Sequence, residues 1–197
     1  MFQVPDKGSF GYFDKKKKKS LAASILSFAA VFIIYITGIL IYHTNKSIFT
    51  VIAALAVLPA ARILISYIVI AFYKSIPLKQ YEEISSIMGE SETNQILCDI
   101  LLASEKKSIL AGMIVIYNGN ILMYSDNKKA NPREAESYMK KILESCNYTS
   151  IKMYTDYETL KEKVQQNTFD GKRDENTILW YKNMCEHITQ AIFRYTI

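Results

Sequence analysis

The fold is decided by LAASILSFAAVFIIYITGILIY (residues 21–42) and, six residues later, by FTVIAALAVLPAARILISYIVIAF (residues 49–72). Each run exceeds the roughly 20 apolar residues that cross about 30 Å of hydrocarbon at about 1.5 Å per residue. Lipid offers no partner to backbone polar groups, so both runs are predicted to be helices of a transmembrane hairpin. The alternative, a helical pair buried in a soluble core, usually has shorter apolar runs.

Lysines on the flanks of the two runs set the expected orientation. The loop between the runs holds only Lys46, whereas Lys74 and Lys79 follow the second run. Five consecutive lysines precede the first run: Lys15, Lys16, Lys17, Lys18 and Lys19. Lysine-rich flanks stay in the cytoplasm, so we expect a multi-pass protein of the cell membrane with both termini cytoplasmic. The same five lysines are expected to contact anionic lipids of the bilayer.

Two residues interrupt the apolar pattern of the second run. Pro59 lacks a backbone donor and is expected to kink the helix. Arg62 falls near mid-membrane, where a charge costs at least about 2.5–3.5 kcal/mol on insertion scales. Arg62 therefore marks either a polar or inter-subunit contact, with Ser27 and Tyr35 at similar depth, or a side chain that snorkels past Ser66 to the cytoplasmic headgroups.

Charge divides the chain into two unlike parts. Residues 1–72 hold eight basic and two acidic side chains, a net charge of +6, and residues 73–197 hold sixteen basic and seventeen acidic ones, a net charge of −1. The overall charge of +5 therefore reflects membrane topology. A nucleic-acid partner is not expected, because such a partner requires basic excess in the soluble part. We divide the chain into a basic cytoplasmic tail (1–20), whose residues 1–14 are expected to be loose, the hairpin (21–72) and a cytoplasmic domain (76–197).

The cytoplasmic domain is predicted to be α+β. A short amphipathic helix follows Pro77, and then come apolar segments 96–103, 110–117 and 121–124, the last two joined by the hairpin turn Asn118-Gly119. These segments predict a three-stranded antiparallel meander. A helix capped by Asn131, with Pro132 at its first position, a fourth strand over 150–155 and two further helices are predicted to follow. The first of these two helices opens with the capping box Thr155-x-x-Glu158.

The last helix is predicted from Glu175 onward. Apolar residues recur along it at steps of three and four: Ile178, Tyr181, Cys185, Ile188 and Ile192. This stripe either docks on the sheet or pairs with another helix, and we favour docking because the run is short for a coiled coil.

Motifs of catalysis and cofactor binding are missing from the sequence. No phosphate-binding glycine loop, metalloprotease motif or nucleophile elbow occurs, and the three cysteines form no C-x-x-C pair. No cofactor and no metal site are therefore expected. Cys185 and His187 are two residues apart on a helix, so we expect a core cysteine and an exposed histidine.

One arrangement nevertheless resembles a known fold. The predicted order over residues 80–155, helix, three strands, helix, strand, resembles the core of restriction-endonuclease-like nucleases. That resemblance implies a divalent metal held by an acid on the second strand and an acid-x-lysine on the third, where Asp126-Asn127-Lys128 falls. The second strand has no carboxylate, and Asp99 lies on the first strand instead. The candidate catalytic residues of such a degenerate relative are therefore Asp99, Asp126 and Lys128. The alternative is that residues 125–129 are only a solvated strand end that leads to the next helix.

The overall layout also resembles that of uncharacterised bacterial two-pass membrane proteins with a small cytoplasmic domain, a resemblance that carries no functional residues. The function that we expect is a membrane-anchored cytoplasmic module that binds a protein partner or another copy of itself. A membrane-tethered metal-dependent nuclease is the first alternative. An accessory subunit of a transporter, contacted through Arg62, is the second.

Overall fold

A computed structural model describes residues 7–43, 48–89, 93–103, 108–127, 130–167 and 175–196. The chain divides into two compact units. One contains the described residues between 13 and 74, and the other contains residues 7–12 together with those from 75 onward.

The first unit is a hairpin of two helices, α1 (Tyr12–Tyr42) and α2 (Ile48–Ala71). Both are long and apolar enough to cross a membrane, and only 11% of the most apolar window of each is buried. Leu26 and Leu58 are 73% and 69% exposed. The core helices of a soluble protein would bury such side chains, so the exposed apolar surface fits lipid as the solvent.

Contacts along the hairpin join its two helices. The rings of Tyr42 and Phe49 lie 5.8 Å apart, and the Ser20 hydroxyl donates to the Ile63 carbonyl at 3.4 Å. Ala53 and Ala60 are buried. Such small residues let helices approach closely in lipid.

The second unit is an α/β domain built on one mixed sheet. Its strands lie in the order β1-β2-β3-β4, with β1, β2 and β3 antiparallel and β4 parallel to β3. The elements, in chain order, are α3 (Leu78–Met88), β1 (Asn94–Leu102), β2 (Ile109–Tyr117), β3 (Asn120–Tyr124), α4 (Pro132–Ile142), β4 (Ser150–Tyr154), α5 (Tyr157–Asn167) and α6 (Glu175–Arg194). The meander and the later helices were predicted, whereas the place and direction of β4 were not.

Helices cover both faces of this sheet. Buried side chains of α4 and α6, among them Met139 and Ile188, pack on one face, and those of α3 and α5, among them Ile84 and Leu160, pack on the other. Because both faces are buried, the strands are apolar almost throughout, which is why strict alternation is absent from their sequence.

The strands β1 and β2 exchange faces at one point. Leu97 and Ile100 both pack toward α4 and α6, although residues three apart on a regular strand face opposite sides. The change occurs at Asp99, whose φ of 56° lies in the left-handed region, opposite Gly112 in the β1–β2 register. A Cβ on Gly112 would meet the Ile76 side chain at 2.8 Å, so a glycine is needed there.

The expectation of a loose N-terminal tail is wrong for residues 7–12. The Cys98 N–H donates to the Gly8 carbonyl at 2.7 Å, and the Phe10 ring stacks on Tyr81 with centroids 5.1 Å apart. The Lys7 ammonium donates to the Thr196 carbonyl at 3.2 Å. The segment thus covers the edge strand β1, and α1 already begins at Tyr12, inside the range assigned to the tail.

Two predicted helix caps differ in detail. Helix α5 is capped by Asp156, whose carboxylate accepts from the Thr159 N–H at 2.9 Å, and not by the predicted Thr155–Glu158 box. Asn131 does precede α4, with Pro132 in the first turn, but its side chain makes no cap hydrogen bond. At α5, Thr155 and Asp156 have similar capping propensity and are adjacent, and the backbone path decides which one caps the helix.

Candidate functional site

The inner face of α6 holds this helix on the sheet. Cys185, Ile188 and Ile192 are buried in the core cluster, so the predicted docking of the stripe is confirmed for its C-terminal half. Thr189 donates to the Gln95 side-chain oxygen on β1 at 2.6 Å. Ile178, the first residue of the stripe, is 38% exposed.

The outer face of α6 carries a row of exposed polar and aromatic side chains. These side chains are Trp180, Asn183, His187, Gln190 and Arg194. Their steps of three and four residues place them on one side of the helix. From Trp180 to Arg194 the row extends over about 21 Å, at about 1.5 Å per residue.

A second wall turns this helix face into a groove of about 350 Å³, the α6 groove. The wall is formed by Ser145, Cys146 and Asn147, in the connection between α4 and β4. The Cys146 thiol lies 3.9 Å from the His187 carbonyl oxygen, to which it donates. Cys146 lies four residues beyond the end of α4 at Ile142, where it is half-buried in the groove wall and packs against the core cluster.

The charge of the α6 groove favours an acidic or neutral hydrogen-bonding ligand. The side chains that line it include Arg194 and His187 but no carboxylate. Asn147, Asn183 and Gln190 supply amides that donate as well as accept. Trp180, whose ring meets Tyr181 edge-on at 4.9 Å, is 52% exposed at one end of the row. The sequence predicted the exposed His187 beside a buried Cys185, but not the groove, because its second wall is about 40 residues away in the chain.

A polar cluster on the other face of the sheet joins α3 to α5. Lys161 forms an ion pair with Glu83 at 2.9 Å, and the Tyr157 hydroxyl donates to the same carboxylate oxygen at 2.9 Å. These hydrogen bonds, that from Lys161 first, lower the pKa of Glu83 below its usual 4.5. The pKa of Tyr157 is raised, chiefly by burial and then by its bond to Glu83. The cluster's partners satisfy one another, so we assign it a structural role.

The candidate nuclease residues occupy unlike environments. Asp99 is fully buried and accepts a hydrogen bond from the Ser75 hydroxyl at 2.7 Å. Asp126 is exposed, two residues beyond the end of β3, and Lys128 lies outside the described residues. Asp99 is on β1 and Asp126 follows β3, and β2 lies between these two strands. The two aspartates are therefore separated by two strand spacings of about 4.8 Å each. Within the part of the chain that the structure describes, no group of three His, Cys, Asp or Glu side chains could hold a metal ion. The metal site stays a prediction without structural support.

The residues that were singled out in the membrane runs lie on α2 and α1. Pro59 is inside α2, and Arg62 is exposed on the same helix. The hydroxyl of Ser27, a predicted partner of Arg62, instead donates to the Ala23 carbonyl within α1 at 2.8 Å. All five lysines from Lys15 to Lys19 belong to the first turns of α1, where Lys17 also donates to the Tyr73 carbonyl.

Comparisons with known proteins give no family: no family model matches the chain, and no curated protein or solved structure shows significant similarity to it.

Proposed function

We propose that this chain is a membrane-anchored binding module, in which α1 and α2 hold the α/β domain at the cytoplasmic face of the cell membrane and the α6 groove binds a protein partner. The observation that carries the proposal is the row of exposed side chains on α6, which the domain's own core does not need. Trp and Arg are among the residues most enriched in binding hot spots. Trp180 stands at one end of the row and Arg194 at the other.

The orientation is supported by a contact between residues on either side of the hairpin. Gly8 precedes α1, and Cys98, which donates to its carbonyl, follows α2. Residues in direct contact must lie on the same side of a bilayer, as two membrane crossings require. The lysine run at the start of α1 supports the cytoplasm as that side.

The length of the exposed row on α6 is compatible with a bound peptide or helix. A row of about 21 Å matches about six residues of extended chain at about 3.3 Å each, or four turns of helix. The groove is lined by amides, and amides can hydrogen-bond a peptide backbone or polar side chains.

Site-specific photo-crosslinking in intact cells tests the proposal. A photoreactive amino acid in place of Asn183 is expected to give a discrete adduct of the full chain, and the adduct should be lost when Arg194→Glu is added. The matched control replaces Lys163, which is exposed on α5 outside the groove. If Asn183 gives no adduct, or if both positions give the same adducts, the groove is not a binding site.

The nuclease alternative is supported only by the order of elements, since α3, the three-stranded meander, α4 and β4 follow one another as the resemblance requires. Order alone does not imply activity. Titration of the full chain with Mn²⁺ tests this alternative. Binding that Asp126→Asn abolishes would support a metal site, and binding unchanged by both Asp126→Asn and Asp99→Asn would exclude it.

A further inference from the structure

We propose that the partner in the α6 groove is a second copy of this chain, and that two α6 helices pair antiparallel about a twofold axis at His187. The inference rests on the proposed function, because it names the occupant of the same groove. It is drawn from the spacing of the exposed row, whose two ends, Trp180 and Arg194, lie at equal distances from His187.

The positions of Trp180 and Arg194 carry the argument. Trp180 is seven residues before His187, and Arg194 is seven residues after it. Seven residues are close to two helical turns, so all three side chains point to the same side. When two such helices cross antiparallel at His187, the indole of each copy faces the guanidinium of the other. Arginine stacks favourably on the face of an indole, so the row is complementary to its own reverse.

The residues between these ends are compatible with the same pairing. Asn183, four residues before His187, is placed beside Ala191, four residues after it. The small side chain of Ala191 leaves room for the amide of Asn183. In this isologous contact each residue meets a fixed partner that meets it in return, and Gln190 is placed opposite the buried Met184.

Disulfide crosslinking of the full chain in its membrane tests this geometry. Helices that pack with axes about 8–10 Å apart bring Cα atoms on the axis to about 4–6 Å, within the range of a disulfide. In a Cys146→Ser background, which removes the thiol that lines the groove, His187→Cys is therefore expected to form a covalent dimer under mild oxidation. Asn183→Cys is the matched control on the same helix face. Its two copies would be about 12 Å apart along the axis, at about 1.5 Å per residue, too far for a disulfide.

Variants at the ends of the row test the chemistry of the contact. Arg194→Glu and Trp180→Ala are each expected to reduce the His187→Cys dimer by about fivefold or more, because each removes two symmetric contacts. Lys163→Glu, a charge reversal on α5, should leave the dimer unchanged. Because all of these side chains are exposed, thermal melting should show the same folded state in each variant.

The outcomes separate this inference from the proposed function. A His187→Cys dimer at no higher yield than the Asn183→Cys control would overturn self-pairing. If the Asn183 photo-adduct then has a mass other than twice that of the chain, the binding module stands with a different partner. If that adduct is also missing, both proposals fall.

Discussion

Replacing Ile188 by alanine tests whether buried side chains hold α6 on the sheet and so form one wall of the groove. Ile188 is fully buried in the cluster that joins α6 to the strands. Its neighbour His187 is exposed on the same helix. The two positions differ by one residue in sequence but lie on opposite sides of the core boundary.

The magnitude follows from the burial. Removing the side chain of a fully buried isoleucine costs about 2–5 kcal/mol, the sum of lost transfer free energy and the cavity left behind. For a domain of this size, about 1 kcal/mol shifts the melting temperature by roughly 3–5 °C, so Ile188→Ala is expected to lower it by about 6–25 °C. His187→Ala should change the free energy of unfolding by no more than about 0.5 kcal/mol.

The assay uses the single tryptophan of the chain. Trp180 is on α6, so its fluorescence during a thermal melt of the detergent-solubilised full chain reports on this helix. Equal melting temperatures for Ile188→Ala and His187→Ala would refute the docking of α6 on the sheet. A loss in Ile188→Ala alone, accompanied by loss of the Asn183 photo-adduct, would tie the groove to the packing beneath it.

Three further predictions concern other contacts. Because the pKa of Glu83 is lowered in the folded chain, its ion pair with Lys161 contributes stability above pH 4.5. This contribution is lost as the pH falls through the pKa of Glu83 in the folded chain. Glu83→Gln should therefore flatten the decline of melting temperature below about pH 5. Burial, and then the charge of Asp99, raises the pKa of Cys98 to about 12. A thiol reagent at pH 8 should therefore label Cys146 and leave Cys98 unlabelled in the folded chain. Mass spectrometry of the peptides measures this labelling. Gly8→Ala should release the N-terminal segment, because φ there is +85° and a Cβ would lie 2.9 Å from an aromatic ring of α6; cleavage near residue 8 by added protease should then be faster, and an unchanged rate would count against the docked segment.

Much of the fold could be predicted because its signals are local. The two apolar runs are longer than core helices usually are, and their composition alone requires helices in lipid. Asn118-Gly119 favours a two-residue turn, and Gly119 does adopt a positive φ of 75° between β2 and β3. Pro132 likewise stands in the first turn of α4 as predicted. Each of these features depends on residues within a few positions of one another.

The candidate site depended on contacts that are distant in sequence. The sequence indicated that Cys185 is buried and His187 exposed, but α6 becomes a groove only where residues 145–147 come to lie beside it. The nuclease residues illustrate the converse. Asp126-Asn127-Lys128 has the spacing of a metal-binding motif, yet Asp99 is buried against Ser75 while Asp126 is exposed to solvent. Spacing along the chain does not determine which carboxylates meet.

By itself, the sequence determined that two apolar helices precede a mixed helix-and-strand domain, because length, composition and turn residues act locally. Only the tertiary structure decided that β4 joins β3 in parallel, that residues 7–12 cover the edge of β1, and that β1 and β2 exchange faces at Asp99 and Gly112. These features arise from hydrogen bonds and packing between segments that are far apart in the chain. Such pairings depend on the burial of the whole core, so no single stretch of residues determines them.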